Sequence, residues 1–333
     1  MAKPAITAWP PALRPMRAVT GMMPTDDGWS FEIKWDGMRA LAFLGDGFRL
    51  RSSNDIELRD RFGELHGLPD QLAGHHVVLD GEIVALGADG VSDFGRLQHR
   101  MHVADPAEAV RRQAVVPVTY QIFDLLYLDG VATLDLPYQD RRRLLGELVE
   151  PGPSWQVPRH LTGDGPALLE AATAQGLEGL MAKRLASRYE PGRRAATWRK
   201  IKIRRQQEVV VGGWTRGTGA REASLGALLV GVHDPDAPGR PLRFAGAVGT
   251  GFTDETLALL GDRLAELRTD DCPFTPDPPR TASRDATWVQ PRLVAEVQFG
   301  EWTEAGRLRH PTFLGLRFDV APEQVVREPV TPS

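Results

Sequence analysis

Cysteine is almost absent from this 333-residue chain, which has one, Cys272. A single thiol can neither close an internal disulfide nor build a cysteine-rich zinc site, so the fold rests on neither. Long apolar runs are missing too: none approaches the ~18 residues that a membrane-spanning helix needs. Prolines interrupt the N-terminal MAKPAITAWPPALRP, where a signal peptide would need a continuous apolar stretch. A cytoplasmic protein without a membrane partner is the expectation. Nor is there an excess of positive charge. Forty Lys+Arg against 44 Asp+Glu leave a formal net charge of −4, so any pull on nucleic acid must come from local patches. The scarcest charged residue is lysine. Of 40 basic residues only five, Lys3, Lys34, Lys183, Lys200 and Lys202, are lysines. Arginine serves wherever any positive charge will do. Lysine then stands out, because an ammonium can shed its proton and become a nucleophile, whereas a guanidinium cannot. What is present is ordinary: 42% apolar and 25% charged residues describe a folded protein of about two domains.

Residues 1–27 read as an irregular, proline-rich lead-in. From Trp29 the pattern has period two. Phe31, Ile33 and Trp35 alternate with Glu32, Lys34 and Asp36 until Asp36-Gly37 signals a turn. Further strands are expected over Arg39–Phe43, Phe48–Ser52, His76–Leu79, Glu82–Leu86 and Val115–Leu126, with Asp80-Gly81 as a hairpin turn. Helices are expected over Arg59–Leu65, Gln139–Leu148 and Pro166–Gln175, the last closed by Gly176. Near Arg205 the character changes to short strands, Val209–Trp214, Leu225–Val232, Leu242–Val248, Leu293–Phe299 and Phe313–Arg317. One helix interrupts them, with Leu257, Leu260, Leu264 and Leu267 at helical spacing. Five strands and one helix fit a small OB-type barrel. Residues 268–284 read as a surface loop and the last dozen as frayed. The domain division is therefore 1–205, 206–325 and a tail, 326–333.

Several constellations carry chemistry. The polar face of the first strand presents Glu32, Lys34 and Asp36 in line, and the turn then brings in Arg39. Glu82 follows Asp80-Gly81, and Phe123-Asp124 sits in an apolar strand. Glu178 and Lys183 are five apart on a glycine-bounded strand, which places them on opposite faces unless a bulge intervenes. Alternation aligns Trp198, Lys200, Lys202 and Arg204, and from Lys183 to Arg205 ten basic residues face one acid, Glu190. Each pattern alone also fits a solvated strand face, a plain hairpin or a core aromatic. Two aligned lysines in an arginine-dominated chain suggest a phosphate site.

Taken in order, these residues carry a resemblance. Lys34-x-Asp36-Gly37-x-Arg39, Asp80-Gly81-Glu82, Phe123-Asp124, Glu178-Gly179-x-x-x-Lys183 and Lys200-x-Lys202 resemble motifs I, III, IIIa, IV and V of the covalent nucleotidyltransferases. That superfamily comprises ATP-dependent DNA ligases, RNA ligases and mRNA capping enzymes. The wording of KWDGMRAL, LDGEIVAL, EGLMAKR and RHPTFLGLRFD is similar to the ligase domain of bacterial non-homologous end-joining DNA ligases, over roughly residues 15–325.

The resemblance implies an α+β fold: an antiparallel-sheet nucleotidyltransferase (ATP-grasp-like ligase) domain followed by an all-β OB-fold barrel that swings between ATP activation and DNA clamping. It implies an ATP-dependent DNA ligase that seals 5′-phosphate/3′-hydroxyl nicks, using ATP and Mg2+ or Mn2+. Lys34 would attack the α-phosphorus of ATP and carry AMP. Neighbouring cations and the metal would disfavour its ammonium form. Phe123 would stack on adenine, Glu32 read the base edge, and Arg39 and Glu82 hold the ribose side. Glu178 and Glu82 would bind the metal, while Lys200 and Lys202 hold the α-phosphate. DNA contacts would fall to Arg51, Lys183, Arg184, Arg204 and Arg205. Relatives usually carry Ser-Arg-Asn-Gly where this chain has Ser52-Ser53-Asn54-Asp55, so Arg51 is expected to substitute for the missing arginine. Arg317-x-Asp319 resembles motif VI, which orients the departing pyrophosphate. Val320 stands where many relatives have a lysine, so Arg317 would act alone and self-adenylation would be slow. The implied partners of a monomeric, nucleoid-associated enzyme are nicked or broken double-stranded DNA, Ku and an end-joining polymerase. The alternatives are an RNA ligase or capping-type enzyme, and a non-catalytic DNA-end-binding module.

Overall fold

The computed structural model describes residues 13–101, 103, 105–217 and 225–328; residues 1–12 of the expected lead-in and 329–333 of the expected tail lie outside them. The chain divides into two compact units between Ile203 and Arg204. No helix among the described residues is long and apolar enough to cross a membrane.

In chain order the first unit contains β1 (Arg17–Thr20), β2 (Trp29–Ile33), β3 (Met38–Leu44), β4 (Phe48–Ser52), α1 (Leu68–Gln71), β5 (Val77–Ala85), α2 (Phe94–Met101) and α3 (Pro106–Val115). It continues with β6 (Val118–Leu128), β7 (Val131–Ala132), α4 (Tyr138–Leu148), β8 (Trp155–Gln156), β9 (Leu161–Thr162), α5 (Gly165–Ala174), β10 (Gly179–Arg184) and β11 (Arg194–Lys202). Two sheets result. One has the order β1-β11-β10-β2-β9; the other runs β4-β3-β5-β6-β7, with β8 on β6. They meet across a cluster that takes Leu41, Phe43, Val78 and Phe123 from the second sheet and Ala195 and Trp198 from the first. The opposite face of the first sheet buries Phe31, Leu180, Ala182 and Ile201 with Ala172 of α5. Two-sided burial is therefore built from strict alternation, with apolar residues under the helix and charges mixed with aromatics between the sheets.

The second unit contains β12 (Gln206–Arg216), β13 (Leu225–His233), β14 (Leu242–Val248), α6 (Asp254–Glu266), β15 (Arg268–Thr269), α7 (Arg280–Ser283), β16 (Ala286–Gln298) and β17 (Thr312–Leu316). Its sheet has the order β14-β13-β12-β16-β15, and β17 pairs with β16. Bonds from Leu308 N–H to Ala245 O and from Phe313 N–H to Thr250 O (2.8 and 2.9 Å) draw the end of the path back toward β14. Thr253 caps α6 through a capping box with Thr256, and Leu260 and Leu264 bury the helix on the sheet.

Several expectations are corrected. Part of the lead-in is a strand, β1, pairing in parallel with β11. Residues 59–65 form two 3-10 turns instead of one helix, and α2 and α3 fill a stretch read as neither helix nor strand. Asp80-Gly81 is no hairpin turn, for β5 runs straight through it. The 268–284 loop sends Phe274 into the core, because β15, α7 and the buried ring anchor it. The end of the chain is not frayed through 328. Val325 is fully buried, Val326 bridges to His233, and Gln207 holds both sides of Arg327 by bonds with Val326 O and Glu328 N–H.

Candidate active site

Residues directly opposite one another in antiparallel strands share a face. Met181 lies opposite both Glu32 and Lys200, Lys183 opposite both Ser30 and Trp198, and Gly179 opposite Lys202. Glu32, Lys183, Trp198, Lys200 and Lys202 therefore line one face of the first sheet, the face that packs against the second. Lys34 follows β2 directly, and its N–H donates to Gly179 O at 2.9 Å. Glu178 precedes β10, outside its alternation, with Ile203 N–H bonded to its carbonyl at 2.9 Å. A Cβ on Gly179 would stand 2.1 Å from Ile201 O, so only glycine fits where β10 starts beside β11. The result is an ion pair between Lys34 Nζ and Glu178 Oε2, their side chains 19% and 4% exposed. The five-residue spacing thus places Glu178 against Lys34 while Lys183 faces Glu32.

Glu32 and Lys183 form the buried centre of the face. Glu32 Oε2 accepts from Lys183 Nζ at 2.8 Å and Oε1 from the Tyr138 hydroxyl, with Arg142 Nε at 4.0 Å. Burial pushes the Glu32 carboxyl up, but Lys183, Arg142 and Tyr138 outweigh it and hold it below its ordinary value. For Lys183 burial prevails even against Glu32, and its ammonium titrates below the usual lysine range. Nζ lies 4.2, 4.4 and 5.1 Å from the ring centres of Phe123, Trp198 and Tyr138, an aromatic box around the charge. At 1% exposure Lys183 reaches no DNA, so its expected DNA contact is withdrawn. Glu32, buried with a bond on each oxygen, holds Lys183 in place.

The second sheet supplies the opposite wall. Arg39 grips Asp80 through Nε and Nη2 at 2.5 and 2.6 Å, and the Tyr189 hydroxyl donates to the same carboxylate at 2.6 Å. Desolvation works against the Arg39 charge, but Asp80 prevails and raises its proton affinity. Its Nη1 makes no bond among the described residues, and the side chain is 18% exposed, so one donor edge stays available. Glu82 lies opposite Arg39 and, two residues from Asp80, shares its face. Between β5 and β6 the pairing jumps from Asp80–Asp124 to Gly81–Ile122, leaving Phe123 as the extra residue of a bulge. Bulges re-aim side chains beside active sites. Phe123 is thereby turned into the interior, where Arg39 lies 4.5 Å from its ring centre.

Arg51 lies opposite Leu41 on the interior face of β4, ion-paired with Asp55 and Glu57 at 3.7 and 3.3 Å. Since β4 ends at Ser52, alternation does not carry to Ser53, and Arg51 is fixed by its local acids. Arg184 is half-buried, bonded to Asp26 at 2.6 Å and lying over Trp29. Arg204 and Arg205 are exposed at the start of the second unit. In that unit Arg317 binds Asp319 through Nε and Nη2 (2.9 and 2.8 Å) and Glu296 through Nη1 (2.7 Å), with 12% of its side chain exposed. Two carboxylates already neutralise the guanidinium expected to meet pyrophosphate.

Comparison with known proteins matches this arrangement to one family. The ATP dependent DNA ligase domain family matches residues 13–202, and the ATP dependent DNA ligase C terminal region matches residues 221–320. The chain belongs to the ATP-dependent DNA ligases. It is 45% identical over 301 residues to the multifunctional non-homologous end joining protein LigD of Mycobacterium bovis, covering 90% of this chain and 37% of that protein. The LigD of Pseudomonas aeruginosa is 34% identical over 325 residues, 97% of this chain and 37% of that protein. The chain thus spans under two fifths of the length of these curated relatives. A solved mycobacterial DNA ligase D complexed with ATP and MES aligns at a TM-score of 0.66 and 43% identity, covering 95% of this chain and 98% of that one. The ligase domain of Mycobacterium tuberculosis LigD aligns at 0.52, also at 43% identity, with the same coverage of 95% and 98%.

In this ligase no three His, Cys, Asp or Glu side chains among the described residues gather into a metal cluster. Glu178 Oε1 is buried and without a partner among them, an open anionic ligand beside Lys34. One such oxygen suits Mg2+, which keeps most of its shell as water and substrate phosphate oxygens. Sequence reasoning missed Asp80 as the grip on Arg39, and Tyr138, Arg142 and Tyr189 altogether. The signal for Arg142 lies in Arg141-Arg142-Arg143. Consecutive helical residues point about 100° apart, so three in a row sweep about 200° of the helix surface, and here the sweep reaches the packed side. Arg141 pairs with buried Asp124, and Arg142 turns toward Glu32.

Proposed function

We propose that the chain seals 5′-phosphate/3′-hydroxyl nicks in double-stranded DNA through a lysine–AMP intermediate, in the end joining of broken DNA. The observation that carries this reading is the contact of Lys34 Nζ with Glu178 at the end of the sheet face that also carries Lys200 and Lys202. Lys34 must give up its proton before it can attack, and Glu178 Oε2 is the acceptor in contact with it. The Nζ–phosphorus bond then forms at the α-phosphate of ATP while the bond to pyrophosphate breaks. Lys200 and Lys202 hold the phosphate oxygens as charge builds. Phe123 walls the base, and Arg39 Nη1 and Glu82 face the ribose. Mg2+ or Mn2+ held by Glu178 Oε1, with Glu82 as a second acid, would offset phosphate charge. In the second step a 5′-phosphate oxygen of the nick displaces Lys34 from AMP. In the third the 3′-hydroxyl attacks that phosphate and AMP leaves.

The second unit supports an OB-type barrel, since the five expected strands lie in one sheet with a single long helix packed on it. Exposed Arg204 and Arg205, with half-buried Arg184 and Arg51, are the DNA contacts of this reading. The work is cytoplasmic, at the nucleoid.

Wild-type protein given ATP and Mg2+ should gain the mass of one AMP and convert a 5′-phosphorylated nicked duplex into a continuous strand. Lys34→Ala and Lys34→Arg should gain none. Labelling of either variant would remove Lys34 as the nucleophile. Sealing only of junctions with RNA at the 3′ side would assign an RNA ligase instead. DNA grip by these units should weaken steeply with salt, so Ku should raise the joining of broken ends. Equal joining with and without Ku would dismiss that partner.

A further inference from the structure

A cavity of 660 Å³ in the second unit takes no part in the chemistry above. That volume is typical of a small-molecule site. Its walls come from β13, β14 and the turn between them, from a second hairpin and from the end of the described chain. The second hairpin closes through Thr303 N–H to Arg307 O (2.8 Å) over Gly306, whose φ is +67°, and it carries Trp302 and Arg307. The chain end is fixed by His233 N–H on Val325 O (2.8 Å) and by the bonds of Gln207 on either side of Arg327. Arg327 is thereby laid over the Trp302 ring, 4.8 Å from its centre, and Arg307 over Phe244 at 4.7 Å.

These two guanidiniums lack what the others have. Arg243, on the same wall, is neutralised by Asp234 at 3.2 Å. Half-buried Arg307, whose Nη1 donates to Phe244 O, and exposed Arg327 have no carboxylate within ion-pair distance among the described residues, although buried Glu328 also lines the cavity. Arginine cannot relieve this by losing its proton. Burial without a counter-charge lowers the proton affinity of Arg307, and an anion would restore it. The Trp302 indole N–H is likewise buried without an acceptor among the described residues. At the rim, Asp236 offers an exposed carboxylate, a group that accepts from exocyclic amines of bases.

Two planar cations backed by aromatic rings, one of them half-buried without a counter-charge, and a carboxylate at the edge together match one chemistry. We propose that this pocket captures a single unpaired nucleotide of a DNA strand, its base stacked on the Arg327 guanidinium and its phosphate on Arg307. Bases stack on arginine planes as they do on aromatic rings. A frayed or overhanging end of a broken duplex presents such a nucleotide. Free nucleotide shares the chemistry, and the experiment separates the two sources.

The test measures binding by the full chain and needs no ligase activity, so it stands or falls apart from the ligation reading. Fluorescence anisotropy would follow an eight-nucleotide fluorescein-labelled single strand and, separately, a blunt duplex. In Arg327→Ala and in Trp302→Leu the single-strand Kd should rise about tenfold, within what one stacked base contributes. Duplex Kd should change less than twofold and the urea unfolding midpoint should stay at the wild-type value, the midpoint serving as the check on folding. Competition by dCMP at equal nucleotide concentration, lost in the same variants, would keep the site and assign it to free nucleotide. A single-strand Kd within twofold of wild type in both variants overturns the proposal. So does an equal loss on blunt duplex, or competition by an acidic peptide in place of the strand.

Discussion

The Glu32 carboxylate sits where water barely reaches, and three groups share its charge. Their hold keeps its proton affinity in the folded chain below the ordinary 4.5. A carboxyl depressed on folding contributes stability above its unfolded value, and the contribution is lost as pH falls through the depressed one. Glu32→Gln removes that titration and leaves the Lys183 charge buried and unpaired, at about 3–5 kcal/mol near neutrality. Urea unfolding at a series of pH values from 7 down to 3 should show the wild-type advantage shrinking below pH 4.5. An advantage that stays constant across the series would mean that Glu32 carries no such pairing. At this scale the sequence was legible wherever residue type alone bore the chemistry. Lysine scarcity singles out Lys34, Lys200 and Lys202, and strand alternation gives the shared face of Lys200 and Lys202 that the structure has. Lys183 was misplaced because alternation gives the face of a residue and says nothing of what covers it. Phe123, Trp198 and Tyr138, which bury it, come from three separate stretches of chain.

At the scale of elements, β5 shows how a local signal loses to its neighbours. Asp-Gly favours a tight hairpin when nothing else constrains it. Here strands lie on both sides, β3 and β6, and the dipeptide is drawn straight. Glycine is still required, because a Cβ at Gly81 would lie 2.5 Å from Tyr120 Cε2 and 2.6 Å from Gln121 O. Gly81→Ala must push β6 outward at the bulge that aims Phe123. Such overpacking costs about 1–3 kcal/mol and should slow AMP labelling of Lys34 as well. Gly47→Ala is the control, for a Cβ there meets nothing within 4 Å. If the urea midpoints of the two variants fall by equal amounts, Gly81 has no special place. Strands with clean alternation, such as Phe48–Ser52 and Leu242–Val248, were read to the residue. The two-residue strands β7, β8, β9 and β15 carry too little pattern to be seen, and exist because longer strands offer them an edge.

Over the whole molecule the legible feature was order: motif residues scattered from Lys34 to Lys202 keep the family's sequence, and the structure gathers most of them onto two facing sheets. The last motif behaves differently. Arg317 lies between Glu296 and Asp319, and the next position is Val320, packed on the core of the second unit. A guanidinium whose charge two carboxylates already offset adds little attraction for pyrophosphate, and no lysine follows Lys202 to supply it. Activation by ATP should therefore be the slow half of the cycle. In single-turnover measurements, AMP labelling of Lys34 should lag the sealing of a nick already carrying AMP. Val320→Lys should close that gap. Its aliphatic stem can replace the valine contacts while the ammonium reaches solvent, so the fold should tolerate it. Only the labelling step should accelerate, because pyrophosphate is absent from sealing. If Val320→Lys speeds both steps alike, or neither, the departure at this position has no bearing on activation, and Arg317 alone suffices.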